Sequence, residues 1–150
     1  MRLKGKSIVI SGASEGLGLE IAATCLKEGA NIFICSRSDT KLKKALVYLN
    51  KFKKDKQKLF DYKLDVSNPN QCDIFVNHVM KEFKIIDAII NNAGIIGPKN
   101  VFDSCDWNSW KYAIDVNLFG SAYLIYKFLP YMKKRKKGSI IQLSGGGATK

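Results

Sequence analysis

Between Ser7 and Gly18 the chain reads SIVISGASEGLG. Ile8, Val9 and Ile10, flanked by Ser7, favour extended backbone and run straight into glycines at Gly12, Gly16 and Gly18, where an amphipathic segment begins. The stretch predicts strand, turn and helix in immediate succession. The glycines let the backbone turn tightly and let a large anion approach main-chain N–H groups with no Cβ in the way. A helix starting at about Gly16 points its unpaired N–H groups and positive dipole end into the same space, which suits a pyrophosphate. The spacing is GxxxGxG rather than GxGxxG, so the turn meets the mechanism of a dinucleotide site but not its usual register. Taken alone it is equally compatible with an ordinary strand-to-helix turn.

Working outward, Leu17, Ile21, Ala22, Cys25 and Leu26 fall on one face at helical spacing, closed by Gly29. Asn31 to Ser36 (NIFICS) reads as a second strand, apolar enough to be covered on both faces. Ser38 is placed to cap a helix with the stripe Leu42, Ala45, Leu46 and Leu49. A third strand is expected over Leu59 to Val66. Asn68 and Pro69 then start a helix with the stripe Cys72, Phe75, Val76, Val79 and Phe83. Ile85 to Asn91 predicts strand four. One long helix is expected from about Trp107 toward Lys136, with the buried stripe Trp110, Ile114, Leu118, Ala122, Ile125 and Leu129 and a bend at Pro130. Ser139 to Ser144 reads as strand five, and the chain closes on GGGATK. Strands alternating with helices predict an α/β fold, a doubly wound parallel sheet with helices on both faces. Such sheets bind ligands beyond the carboxyl ends of the strands beside strand one, where the glycine turn lies.

With 150 residues, 46% hydrophobic and 25% charged, the chain fits a single domain over residues 1–150. No apolar run reaches the ~18 residues of a membrane span, and MRLKGK enters strand one without a signal-type apolar region. The expectation is a cytoplasmic protein with no membrane partner. Cys25, Cys35, Cys72 and Cys105 show no CxxC spacing and read as core thiols, with no metal site. The net charge is +12 and the pI about 9.6. The excess gathers in Lys41 to Lys58 and in Lys133, Lys134, Arg135, Lys136 and Lys137. Neither cluster carries interleaved aromatic residues that would stack bases. They therefore read as solvated helix faces and as cations at a helix C-terminus before Gly138, and no nucleic-acid partner is expected.

Across its 150 residues the chain resembles the short-chain dehydrogenase/reductase family. Ser11 to Gly18 is similar to the TGxxxGxG cofactor turn, with Ser11 for the usual Thr. Leu64-Asp65-Val66 resembles the end of strand three, where an Asp bonds near the adenine. Asn91-Asn92-Ala93-Gly94 matches NNAG, and Asn117 in VNLFG matches the active-site Asn. The resemblance implies a Rossmann-like fold and hydride transfer between NADP(H) and a carbonyl or alcohol substrate. It implies cofactor contacts at Gly12, Ser14, Glu15, Gly16, Leu17, Gly18, Ser36, Arg37, Ser38, Asp65, Val66, Asn92, Ala93 and Gly94. It implies catalytic roles for Asn117 and Ser144, and a homo-oligomer if the full fold is present.

Cofactor choice turns on the end of strand two, where a carboxylate grips a ribose 2′-hydroxyl and an Arg accommodates a 2′-phosphate. Ser36, Arg37 and Ser38 stand there with no acid before Asp39. NADP is expected, while Glu15 pulls toward NAD. Asn117 falls on the apolar stripe of its helix, so its amide needs a partner there; its own i−4 carbonyl is the local alternative. The family's catalytic Tyr-x-x-x-Lys follows strand five, and the match within the chain, Tyr123 to Lys127, precedes that strand and reads as coincidence. Where relatives show Ser-Ser, this chain has Ser144-Gly145: either Ser144 takes the role after a small shift or the hydroxyl is lost. The expectation is a partial chain, truncated after strand five. The alternative function is a dinucleotide-binding module without turnover.

Overall fold

The computed structural model describes residues 1–145. β1 (Ser7–Ser11), β2 (Asn31–Ser36), β3 (Leu59–Lys63), β4 (Ala88–Asn91) and β5 (Ser139–Gln142) form one parallel sheet in the order β3-β2-β1-β4-β5. The order reverses beside β1, which puts the glycine turn at the switch point.

Alternation along the strands sends side chains into two separate cores. Ile8, Ile10, Ile32, Ile34 and Ile90 pack with α1 (Gly16–Lys27) and α2 (Asp39–Asn50) through Ala22, Ala23, Leu26, Leu42, Ala45 and Leu49. Val9, Phe33, Cys35 and Ile89 pack on the other face with α3 (Pro69–Phe83) and with the segment that follows β4. Phe33 centres this second core. It is fully buried, and the rings of Phe60, Phe75, His78 and Phe83 lie 5.4–5.8 Å from it.

The caps are formed as expected. Ser38 accepts from Lys41 N, and Asn68 accepts from Gln71 N with Pro69 in the first helical turn. Strands three, four and five are shorter than the sequence suggests, because Leu64 onward, Ile85 to Asp87, and Leu143 onward leave the regular ladder. Leu17 is exposed rather than buried. It lies in the first turn of α1.

The long helix is the main correction. It is divided into α4 (Trp107–Ile114), a π-helical segment (Asp115–Gly120) and α5 (Ser121–Arg135). The buried residues are Ala113, Val116, Gly120, Ser121, Leu124, Phe128 and Met132, whereas Leu118 and Leu129 are exposed. The chain carries two apolar stripes here, each at helical spacing, and Ala113, Ser121, Leu124 and Phe128 of the packed one lie one residue before Ile114, Ala122, Ile125 and Leu129 of the expected one. The segment sits close to the stretch after β3: a Cβ at Gly120 would lie 2.8 Å from Val66 O and Val66 Cγ2. Ser121 Oγ donates toward the Asn117 and Leu118 carbonyls where the ladder is disturbed.

Phe33→Ala removes the ring on which one core converges. It is expected to cost about 3–5 kcal/mol, read as a lowered urea midpoint; a loss under 1 kcal/mol would contradict this packing.

Candidate functional site

The end of β1 and the end of β4 are stapled together. Ser11 Oγ accepts from Asn92 N at 3.2 Å and Ala93 N at 3.1 Å, and Asn92 Nδ2 donates to Ser11 O at 3.1 Å and Gly12 O at 2.8 Å. The two loops are in contact: a Cβ on Gly12 would stand 2.7 Å from Ala93 Cα, and φ there is +64°. Gly16 differs, because a Cβ there would meet nothing within 4 Å. Glu15, which precedes α1, makes no side-chain cap, so the first N–H groups of α1 are left for a ligand.

Beside this turn lies a cavity of about 550 Å³, lined in part by Gly12, Ser14, Glu15, Ser36, Arg37 and Ser38 from the first two strand ends. Its other walls include Asp65, Val66, Asn92, Ala93 and Gly94. Gly16, Leu17 and Gly18 fall outside this lining. Lys41, Ile95, Tyr112 and Val116, which no motif marks, are part of it. Lys41 and Tyr112 carry no local signature: each reaches the cavity only because a helix is folded over a strand end.

The polar groups of the wall are already paired. Ser36 Oγ donates to Ser14 Oγ at 2.8 Å, joining the β2 end to the glycine turn. Lys41 Nζ lies 2.7 Å from Glu15 Oε1, so the acid in the glycine turn carries its own counter-ion. Arg37 Nη1 donates to Tyr112 OH at 2.6 Å, and that hydroxyl donates to Asp65 Oδ2 at 2.8 Å. Asp65 Oδ1 accepts from Ser67 N and Ser67 Oγ. Burial opposes the Asp65 charge, but the Ser67 and Tyr112 hydrogen bonds and the Arg37 charge outweigh it and hold the carboxyl below its usual range. Cys35 sits in the floor, where burial pushes its thiol up.

Asn117 is exposed, not on the buried stripe, yet its amide has a partner at both ends. Its Oδ1 accepts from Ile95 N and its Nδ2 donates to Ile95 O, each at 2.8 Å. The π segment that contains it turns this amide onto the loop after NNAG rather than back onto its own helix. Ser144 is exposed, two residues beyond β5, and outside the cavity lining. Tyr123 and Lys127 do meet, but on Asp73 of α3: Tyr123 OH donates to Asp73 Oδ1 at 3.0 Å, and Lys127 Nζ lies 2.8 Å from the same oxygen. That hydrogen bond raises the Tyr123 hydroxyl, the reverse of what a proton-transfer tyrosine needs.

A glycine turn with an uncapped helix start, a hydroxyl- and cation-lined β2 end and a carboxylate across the cavity together fit a nicotinamide dinucleotide. Among the described residues no group of three His, Cys, Asp or Glu side chains could hold a metal, and no helix is long and apolar enough to cross a membrane.

Asp65 titrates lower folded than unfolded, so its contribution is complete above the ordinary carboxylate value of about 4 and is lost as pH falls through the folded value. Asp65→Asn is expected to lower the urea midpoint at pH 7, with the gap to wild type closing on acidification below about pH 4. A gap that stays constant into acid would contradict the charge pairing.

Residues 6–150 match the short chain dehydrogenase family. An uncharacterized oxidoreductase of Staphylococcus saprophyticus is 33% identical over 142 residues, covering 95% of this chain and 55% of that protein. The NADP-dependent mannitol dehydrogenase of Hypocrea jecorina is 37% identical over 143 residues, covering 93% of this chain and 52% of that one. The chain thus spans about half the length of the curated relatives it matches. Among solved structures, a metagenomic short-chain oxidoreductase in complex with NADP superposes with a TM-score of 0.91 at 25% identity, covering 100% of this chain and 66% of that one. Actinorhodin polyketide ketoreductase with NADPH gives 0.90 at 25% identity, covering 97% and 55%. The NAD⁺-bound xylitol dehydrogenase gives 0.87 at 22% identity, covering 93% and 53%, a likeness of fold.

Proposed function

We propose, from the premise that the chain belongs to the short chain dehydrogenase family, that it forms the dinucleotide-binding part of an NADP-preferring oxidoreductase acting on a carbonyl or alcohol. The observation that carries the preference is the β2 end. Ser36, Arg37 and Ser38 face the cavity there with Lys41 beside them, and Asp39, the first acid after β2, is engaged by Lys43 at 2.7 Å on α2. A 2′-phosphate finds hydroxyls and the Arg37 cation at that corner, while a bare 2′-hydroxyl finds no carboxylate from β2 to grip it. Glu15 does not reverse this, because Lys41 neutralises it.

In this reading Gly12, Ser14, Glu15, Gly16, Leu17 and Gly18 receive the pyrophosphate side of the cofactor. Ser36, Arg37 and Ser38 take the 2′-phosphate, Asp65 and Val66 the adenine edge, and Asn92, Ala93 and Gly94 the ribose. The bound cofactor supplies or accepts the hydride. Asn117 holds the loop at Ile95 that walls the reacting end, and Ser144 is assigned to orient the substrate oxygen. Tyr123 and Lys127 are committed to Asp73, so the reading takes its proton-transfer pair from outside the described residues.

A second reading, a dinucleotide-binding module without turnover, is favoured by that same commitment of Tyr123 and Lys127 to Asp73. Mixing residues 1–150 with NADPH and a panel of ketones and aldehydes is expected to give binding without oxidation of NADPH. Clear turnover would overturn both this expectation and the role given to Asp73.

NADPH is expected to bind at least about tenfold more tightly than NADH in calorimetric titration, the worth of one charge-assisted contact to the 2′-phosphate. Ser36→Asp places a carboxylate at the β2 end and should reverse the order. Equal affinities for the two cofactors in the wild-type protein would overturn the NADP reading.

A further inference from the structure

Tyr112 belongs to none of the motifs, yet its hydroxyl joins two charged side chains of the cavity wall. It stands on α4, just before the π segment, and its oxygen lies between two opposite charges from different strand ends. It accepts from Arg37 Nη1 at 2.6 Å and donates to Asp65 Oδ2 at 2.8 Å. The Arg37 guanidinium carbon lies 5.7 Å from the centroid of the Tyr112 ring. Arg37 itself is exposed, at the end of a strand and on a long flexible stem. An arginine in that position ordinarily spends rotamer entropy when it closes on an anion.

We propose that Tyr112 is a positioning residue for cofactor selectivity: its hydroxyl holds the Arg37 guanidinium at the cavity wall, ready for a 2′-phosphate, and keeps it from collapsing onto Asp65. This rests on the NADP reading above.

The geometry supports both halves. The Tyr112 proton is directed to Asp65, so the hydroxyl lone pairs face Arg37 and fix its direction without neutralising its charge. A guanidinium has five N–H donors, and the contact to Tyr112 engages one nitrogen, leaving the rest for phosphate oxygens. Without the hydroxyl, a direct ion pair of Arg37 with Asp65 would withdraw the cation from the phosphate corner. Asp65 Oδ1 is already occupied by Ser67, so Oδ2 is the oxygen that such a collapse would take. Lys41 cannot substitute for Arg37 while it is paired with Glu15.

The test uses adenosine 2′,5′-bisphosphate and adenosine 5′-diphosphate as probes, titrated by calorimetry into wild type, Tyr112→Phe, Arg37→Ala and the double variant. Tyr112→Phe should weaken the bisphosphate about tenfold, as expected for one hydrogen bond to a charged group, and leave the diphosphate within about twofold. In the Arg37→Ala background the Tyr112 substitution should have no further effect on the bisphosphate. Equal weakening of both probes, or an undiminished effect without Arg37, would mean that Tyr112 only supports the wall, and would overturn the proposal. If wild type prefers the bisphosphate and Tyr112→Phe keeps that preference undiminished, the Tyr112 assignment alone falls. If wild type shows no preference, the NADP reading falls, and the assignment with it. The ellipticity and urea midpoint of Tyr112→Phe separate a folded variant from a damaged one; should it be damaged, Tyr112→Leu, which likewise offers no hydrogen-bonding atom, replaces it with the same expectations.

Discussion

The cavity depends on the contact between the glycine turn and the end of β4. Gly12 and Ala93 approach so closely that no side chain fits between them, and Asn92 spans the seam with both of its amide hydrogens. Ser11 answers from the other side by accepting two backbone N–H groups. The carbonyls of a tight turn and the N–H groups of a strand that has just left its ladder would otherwise lie half-buried and unpaired, at about 1–3 kcal/mol each. The polar residues of NNAG are therefore needed by the fold before any ligand arrives. Because the turn is clamped on this side, its remaining side, toward Gly16 and the start of α1, is the one left open.

The π segment serves the same region from beyond the sheet. The wider turn at Asp115–Gly120 lies beside the core that Val116, Leu124, Phe128 and Met132 share with α3. Its consequence is chemical: the amide of Asn117 meets both backbone groups of Ile95, so the loop after NNAG is tied to the helix that crosses the sheet end. Gly120 permits the approach to Val66, which lines both this packing and the cavity.

Charge within the cavity is arranged in compensated sets. Glu15 is matched by Lys41, and Asp65 is linked to Arg37 through Tyr112. An acid in the glycine turn looks like an obstacle to a phosphate when it is read as a letter in a row. Its effect changes once a lysine from the first turn of α2 lies 2.7 Å away. The same caution applies to Tyr123 and Lys127, whose spacing resembles a catalytic pair and whose shared partner, Asp73, gives them a structural task.

The sequence by itself determined the elements and the nature of the site. Strand and helix periods, the caps at Ser38 and Asn68, and the glycine turn are local properties, written in neighbouring residues and governed by short-range sterics and hydrogen bonding. The cavity wall from Gly12 through Gly94 was legible for the same reason, since each motif sits at a strand end and parallel strands bring their ends together. Tertiary structure alone decided the rest. It chose which of two apolar stripes after Trp107 faces the core, because both satisfy a helical period and packing against α3 is a long-range term. It left Leu17 in solvent although its neighbour Gly18 is buried. It brought Lys41 to Glu15 and Tyr112 between Arg37 and Asp65, pairings between residues 26, 75 and 47 positions apart. No local pattern encodes such pairs; they exist because folding closes loops whose ends are unrelated in sequence.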